Sequence, residues 1–164
     1  MSIDGTDFRI LDPKPFDSKW FSHKFKAAGM QYEVGLSINC GDIVWHGGGY
    51  RAGECNDLGM ARLDFVHQLC HGERAIGDKG YNDGKYFVYP KRNMTSLRKW
   101  SLKQIMARHE HVNSRFKYYE CMNTRFRHGW EKHNNCFEAI VKLTQIKIEN
   151  GQPLSKVKNM KRLC

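Results

Sequence analysis

The apolar residues of this chain change period once, and that change limits the folds open to it. Up to about residue 90 they come in short runs bounded by Gly, Pro, Asn and Asp, the pattern of β-strands. Strands are expected at 2–11, 29–38, 43–46, 74–76 and 86–90, with 47–53 as a flexible glycine-rich loop and a helix over 57–70 capped by Asn56 or Asp57. From Ser96 the period becomes 3.6: Leu102, Ile105, Met106, His109, Val112, Phe116 and Tyr119 fall on one stripe. Ser101 is a candidate restart point within this helix, and His128-Gly129 breaks it. A last helix over 130–150 is expected to bury Phe137, Ile140, Val141, Leu143, Thr144 and Ile148. The order β-β-β-α-β-β-α-α predicts an α/β fold, a mixed five-stranded sheet with helices packed on it.

With 164 residues, 40% hydrophobic and 27% charged, the chain is sized for one globular domain. No apolar run reaches the roughly 18 residues of a membrane span. The N-terminus lacks the basic flank and apolar stretch of a signal peptide. A soluble intracellular protein is the expectation, with no membrane partner. The six cysteines form no C-x-x-C pair, which argues against structural zinc and for free, buried thiols. Charge is divided unevenly. Residues 1–90 hold 12 Asp/Glu against 10 Lys/Arg, and residues 91–164 hold 5 against 17. A basic half of this kind suits a polyanion such as nucleic acid, although a solvated basic surface has the same composition.

The first strand carries Asp4 and Asp7 among Ile3, Phe8, Ile10 and Leu11. A carboxylate in an apolar strand is costly to bury unless a base, a turn or a metal ion compensates. Asp78, at the end of the fourth strand, and Glu110, in the long helix, are acids on two further elements. If the first and fourth strands are neighbours, Asp4 and Asp78 can meet, and a helix over their ends can deliver Glu110. Three carboxylates so placed repel one another, and hard, oxygen-seeking Mg²⁺ removes that repulsion. Spacing alone leaves other roles open: Asp78 in G-D-K-G as a turn residue, and Glu110 as a solvated partner of Arg108 or Lys117.

Four blocks carry a resemblance. They are Ile3-Asp4-Gly5-Thr6, Gly53 with Asn56-Asp57, Gly77-Asp78-Lys79-Gly80-Tyr81, and Arg108-His109-Glu110-His111-Val112-Asn113 with Phe116-Lys117. Together, and in this order, they resemble the signature blocks of DDE-superfamily endonucleases, in particular the transposase nuclease domain of the PIF/Harbinger type. The resemblance implies an RNase H-like domain over 1–154, followed by a basic, flexible tail over 155–164. In that fold the first three strands are antiparallel and the later two run parallel to the first. It implies Asp4, Asp78 and Glu110 as catalytic metal ligands holding Mg²⁺ or Mn²⁺, with two ions expected. Asp57 matches a recurrent acidic position beside the site, although a helix cap would look the same. Where this family often has His, the chain has Asp7, which is expected to be exposed on the face opposite Asp4 and not a ligand. His109 and His111 are expected to be packed or solvent-facing.

The function implied is metal-dependent cleavage of DNA phosphodiester bonds, with Lys79, Arg108, Arg115 and Lys117 as phosphate contacts. The implied location is the nucleus of a eukaryotic cell, or otherwise the cytoplasm. Relatives usually carry an upstream DNA-binding region, and none precedes these blocks here; a separate DNA-binding partner protein is the expected source of target recognition. Two other readings remain open. One is a domesticated, non-catalytic DNA-binding or adaptor protein that keeps the transposase fold. The other is a simple basic nucleic-acid binder.

Overall fold

The computed structural model describes residues 1–157. β1 (Ser2–Arg9) sits in the middle of a mixed sheet. On one side β3 (Ala27–Leu36) runs antiparallel to it, in unbroken register from Ser2↔Leu36 to Arg9↔Gly29. On the other side β5 (Ala75–Ile76) runs parallel, with Ser2 opposite Ile76, and β6 (Phe87–Val88) lies parallel beyond it. β4 (Ile43–Arg51) and the short β2 (Phe21–Ser22) both pair antiparallel with β3. The five expected strands therefore share one sheet, with the first and fourth as neighbours. The sixth, β2, lies in a stretch that has no strand periodicity.

Alternation along β1 sends its residues to two different layers. Phe8, with Met30, Tyr32, Val34 and Leu36 of β3, packs under α2 (Ser96–Lys117) and α4 (Trp130–Glu149), which contribute Val112, Phe116, Phe137, Ile140 and Val141. Ile3 points the other way, into a smaller core with Ala61 of α1 (Asp57–Leu63), Phe65, Tyr81 and Phe87. A third cluster, Ile76 with Leu102 and Ile105, fastens β5 to the first half of α2. Fully burying side chains of this size contributes about 1.5–3 kcal/mol each.

Several local expectations are corrected. The glycine run is strand, not flexible loop: β4 continues through Gly47–Gly49 to Arg51, with a register shift opposite Gln31/Tyr32. Gly48 has φ +115°, and a Cβ there would lie 2.7 Å from the Cα of Tyr32, so only glycine lets the strands approach at this irregularity. α2 runs unbroken from the Thr95 cap past Ser101, and ends at Lys117 rather than at His128. The short α3 (Glu120–Asn123) follows it. Leu143 is 46% exposed, being off the 137/140/141/144/148 stripe that α4 buries. The thiols of Cys40, Cys70 and Cys121 are exposed and those of Cys55 and Cys136 half-buried, all free, so the expectation of buried cysteines fails. Of the tail expected over 155–164, Ser155 and Val157 are tied to the body of the fold, and 158–164 lie outside the described residues. No helix among the described residues is long and apolar enough to cross a membrane.

Arg108 is a structural residue. It is 1% exposed. Its guanidinium donates to the carbonyls of Ser155 and Ile38, at 2.6 Å each, and to Ser37 at 3.4 Å. It pins α2 to the turn after β3 and to the segment after α4. Arg108→Met should therefore leave buried carbonyls unpaired and cost about 2–4 kcal/mol in urea unfolding. Lys117→Met, on the exposed end of the same helix, should stay within about 0.5 kcal/mol.

Candidate functional site

Asp4 lies in β1 opposite Val34 of β3, and its side chain is only partly exposed. From α2, the Nδ2 of Asn113 donates to its Oδ2 at 3.5 Å. Asp78 follows β5 by two residues and begins the 3-10 turn Lys79–Tyr81, accepting from the backbone N–H of Gly80 at 2.7 Å. The turn role of Asp78 is thus real, and it coexists with a place beside Asp4.

Asp57 is not the helix cap. Asn56 takes that role, accepting from the N–H of Gly59. This frees the Asp57 carboxylate to turn inward, where the Nε2 of Gln31 donates to it at 2.7 Å. Two glycines make room for it. A Cβ on Gly5 would lie 2.7 Å from Asp57 Oδ1. A Cβ on Gly80 would lie 2.9 Å from Asp78 Oδ1 and 3.2 Å from Asp57 Oδ2. Both carboxylates thus reach the same point.

The electrostatics follow from this crowding. Burial, then the neighbouring Asp78 charge, push the Asp4 carboxyl up to about 7; Asp57 adds to the shift and Lys24 opposes it. Asp57 is raised as well, chiefly by burial, with Lys24 opposing and Asp78 adding. A fourth acid, Glu33, stands opposite Gly5 on β3 and is 1% exposed. Burial raises it to about 8, against the pull of the Tyr81 hydroxyl, which donates to Glu33 Oε1 at 2.8 Å. Lys24, 3.5 Å from Asp7, is the cation that moderates Asp4 and Asp57.

The expected site residues divide. Asp57 and Asp78 meet at Gly80, and Asp4 feels the charge of both from β1. Glu110 is exposed on α2, three residues before Asn113 and four after Met106, which lines a cleft beside Asp78. That spacing sets it on the helix face turned toward the acids. Among the described residues, no three His, Cys, Asp or Glu side chains are gathered tightly enough to hold a metal ion. Lys79 is exposed next to Asp78. Arg108 is withdrawn as a phosphate contact, since it is buried against carbonyls, which also rules it out as a partner for Glu110. Arg115 donates to the carbonyls of Gln152 and Pro153, and Lys117 is exposed. Asp7 does lie on the face opposite Asp4, but it is buried, not exposed: Ser22 Oγ donates to it at 2.7 Å, and Lys24 pairs with it. His109 is packed, with Nε2 2.9 Å from Ser2 Oγ, and His111 is exposed.

Sequence reasoning missed Glu33, Lys24, Gln31 and the role of Asn113. Glu33 had a legible signal, an acid within an apolar strand, the same signal that marks Asp4. No family model, curated protein or solved structure matches the chain.

The raised carboxyls set the pH dependence of stability. Between their ordinary values and about 7 to 8, the native state holds protons that the unfolded chain has released, so stability falls as pH rises. His109 and His133, lowered by burial to about 3 and about 4, act the other way, but only below the ordinary histidine value of 6.5. From pH 6.5 to 8 the carboxyls act without that opposition. In chelator the melting temperature should drop across this window, and Glu33→Gln should flatten the drop and melt higher at pH 8. Parallel slopes for both proteins would show that Glu33 is not held protonated.

Proposed function

We propose that this chain is the catalytic domain of a divalent-metal-dependent DNA endonuclease of the DDE transposase type, with an RNase H-like fold. The observation that carries the reading is the meeting of Asp57 and Asp78 at Gly80, with Asp4 near enough on β1 for both charges to act on it. The strand directions, antiparallel among β1, β3 and β4 and parallel from β1 through β5 to β6, agree with those the motif resemblance implies.

The donor chemistry suits a hard cation: the donors are carboxylate oxygens, and Lys24 is the cation that lowers both half-buried acids, Asp4 and Asp57. Asp4 and Asp78 would hold Mg²⁺ or Mn²⁺, with Glu110 closing in from α2 as the third ligand. Ions bound there supply a lowered pKa for an attacking water and stabilise the leaving oxygen of a phosphodiester. Asn113 holds the Asp4 carboxylate toward α2. Gln31 holds Asp57 by Oδ1 and the Gly80 N–H holds Asp78 by Oδ1, while Oδ2 of each accepts no hydrogen bond among the described residues. Lys79 is placed to meet a phosphate beside Asp78.

One observation favours a second reading, a non-catalytic DNA-binding or adaptor protein that kept the fold: among the described residues no three acids, Glu110 included, are gathered tightly enough to hold a metal ion. Plasmid nicking separates the two. The wild-type chain should nick in Mg²⁺ or Mn²⁺ and barely in Ca²⁺, whose looser coordination holds an in-line geometry poorly. Asp78→Asn and Glu110→Gln should each lose at least about a hundredfold while still binding DNA. Equal nicking by wild type and Asp78→Asn would put the activity elsewhere. DNA binding without any Mg²⁺-dependent nicking would favour the adaptor.

A further inference from the structure

A cleft of about 1060 Å³ opens beside Asp78, outside the acid cluster. The segments that build it follow the carboxyl ends of the two parallel strands, 77–82 after β5 and 89–92 after β6, and the first half of α2 closes it. Crevices at the carboxyl ends of parallel strands are where open α/β sheets bind ligands. The lining has two chemistries. Tyr89, Pro90 and Met106 are apolar or aromatic, while Lys79, Lys91, Arg92, Lys99 and Lys103 surround them with charge. Asp78 is the one carboxylate in the lining. Tyr89 and Lys91 also line a neighbouring hollow of about 570 Å³ that contains Arg98. A basic path thus runs from the acid cluster over the Tyr89 ring and onward.

A duplex could use the lysines but not the apolar lining, because its bases are paired and turned inward. An unpaired strand uses both. Its phosphates meet the ammonium groups, and a base can stack on an aromatic side chain. The Lys91 ammonium stands 5.2 Å from the centre of the half-buried Tyr89 ring, a weak contact that an exposed lysine gives up easily. Lys99 is the exception among the cations. Its Nζ donates to the Arg92 carbonyl at 2.8 Å, holding the 91–94 loop in place over the helix.

We propose that this cleft holds an unpaired stretch of DNA, with one base on the Tyr89 ring and the neighbouring phosphates on Lys79, Lys91, Arg92 and Lys103. This deepens the nuclease reading, and rests on it for the identity of the strand as DNA. A strand held here passes directly to Asp78, so the acids would act on DNA that is frayed or displaced rather than on closed duplex.

The test is fluorescence anisotropy with the whole chain in EDTA, using a labelled short oligothymidylate and a duplex of equal length, across a salt series. The oligothymidylate should bind at least about tenfold tighter than the duplex. Tyr89→Leu should weaken the oligothymidylate about tenfold, leave the duplex unchanged and keep the salt slope. Replacing Lys91, Arg92 and Lys103 together by Gln should flatten the oligothymidylate salt slope by about two. Tyr89→Trp gives a second readout that does not depend on how the leucine variant folds. Its fluorescence beyond that of wild type should be quenched by the oligothymidylate and not by the duplex. Equal affinity for strand and duplex, or no extra quenching in Tyr89→Trp, would overturn the proposal. Because no divalent ion is present, failure of Mg²⁺-dependent nicking bears on the catalytic reading and leaves this result independent of it.

Discussion

Crowded negative charge at one corner of the sheet is the constraint on which the rest of this structure depends. Asp4, Glu33, Asp57 and Asp78 come from four elements; burial first, and then neighbouring carboxylate charge, raises the proton affinity of Asp4, Glu33 and Asp57. Hydrogen bonds offset part of the cost: Tyr81 to Glu33, Gln31 to Asp57, the Gly80 N–H to Asp78. A bond to an ionised acceptor such as Asp57 is worth about 1.5–3 kcal/mol and one to a neutral carboxyl about 1 kcal/mol, less than the penalty of desolvating a bare carboxylate. The remainder must be carried by packing elsewhere, and the aromatic core of Phe8, Tyr32, Phe116 and Phe137, with rings 3.9 to 5.9 Å apart, is built for that.

The corner exists because the pairing of β1 is unequal on its two sides. β3 follows β1 over its full length, whereas β5 pairs with it only where Ser2 meets Ile76. Beyond Ile76 the chain leaves into the Lys79–Tyr81 turn. From Asp4 to Phe8 no strand among the described residues pairs with that flank of β1, and Phe126 closes it from Arg9 to Leu11. Asp4 reaches into the opening from the α2 side of the strand, Asp57 from the α1 side across Gly5, and Asp78 from the departing end of β5. A longer β5 would fill the gap with backbone. A residue larger than glycine at position 5 would displace Asp57.

The parts of this arrangement that depend on local periodicity were legible in the sequence. Short apolar runs between turn residues marked β1, β3, the start of β4, β5 and β6, and the 3.6 stripe marked α2. The adjacency of β1 and β5 was legible only as a consequence of requiring Asp4 and Asp78 to meet, and the sheet bears it out. What failed depended on contacts distant in sequence. Glycine at 47–49 means a loop by composition, yet here it is a strand shaped by close approach to Tyr32. Arg108 has the composition of a surface base and is consumed by three carbonyls some 50 to 70 residues away in sequence. Asp7 looked solvent-facing because Asp4 faced inward, but both faces of β1 are covered, so alternation could not separate buried from exposed.

The same distinction bears on the basic half of the chain. Its positive excess, 17 Lys/Arg against 5 Asp/Glu, would suggest one broad binding face. The structure divides it instead. Arg108 and Arg115 bind backbone carbonyls, Lys142 pairs with Glu138, and Lys147 stands over the rings of Tyr118 and Tyr119. The cations that line a concavity at the acid cluster come from 79–103, a stretch in which the sequence changes from strand to helix period. Net charge therefore describes this half as a whole, while the boundary between the two periodicities locates the concavity that its cations line. That boundary is where β6 ends and α2 begins, and where loop residues are free to point along the sheet edge instead of into either core.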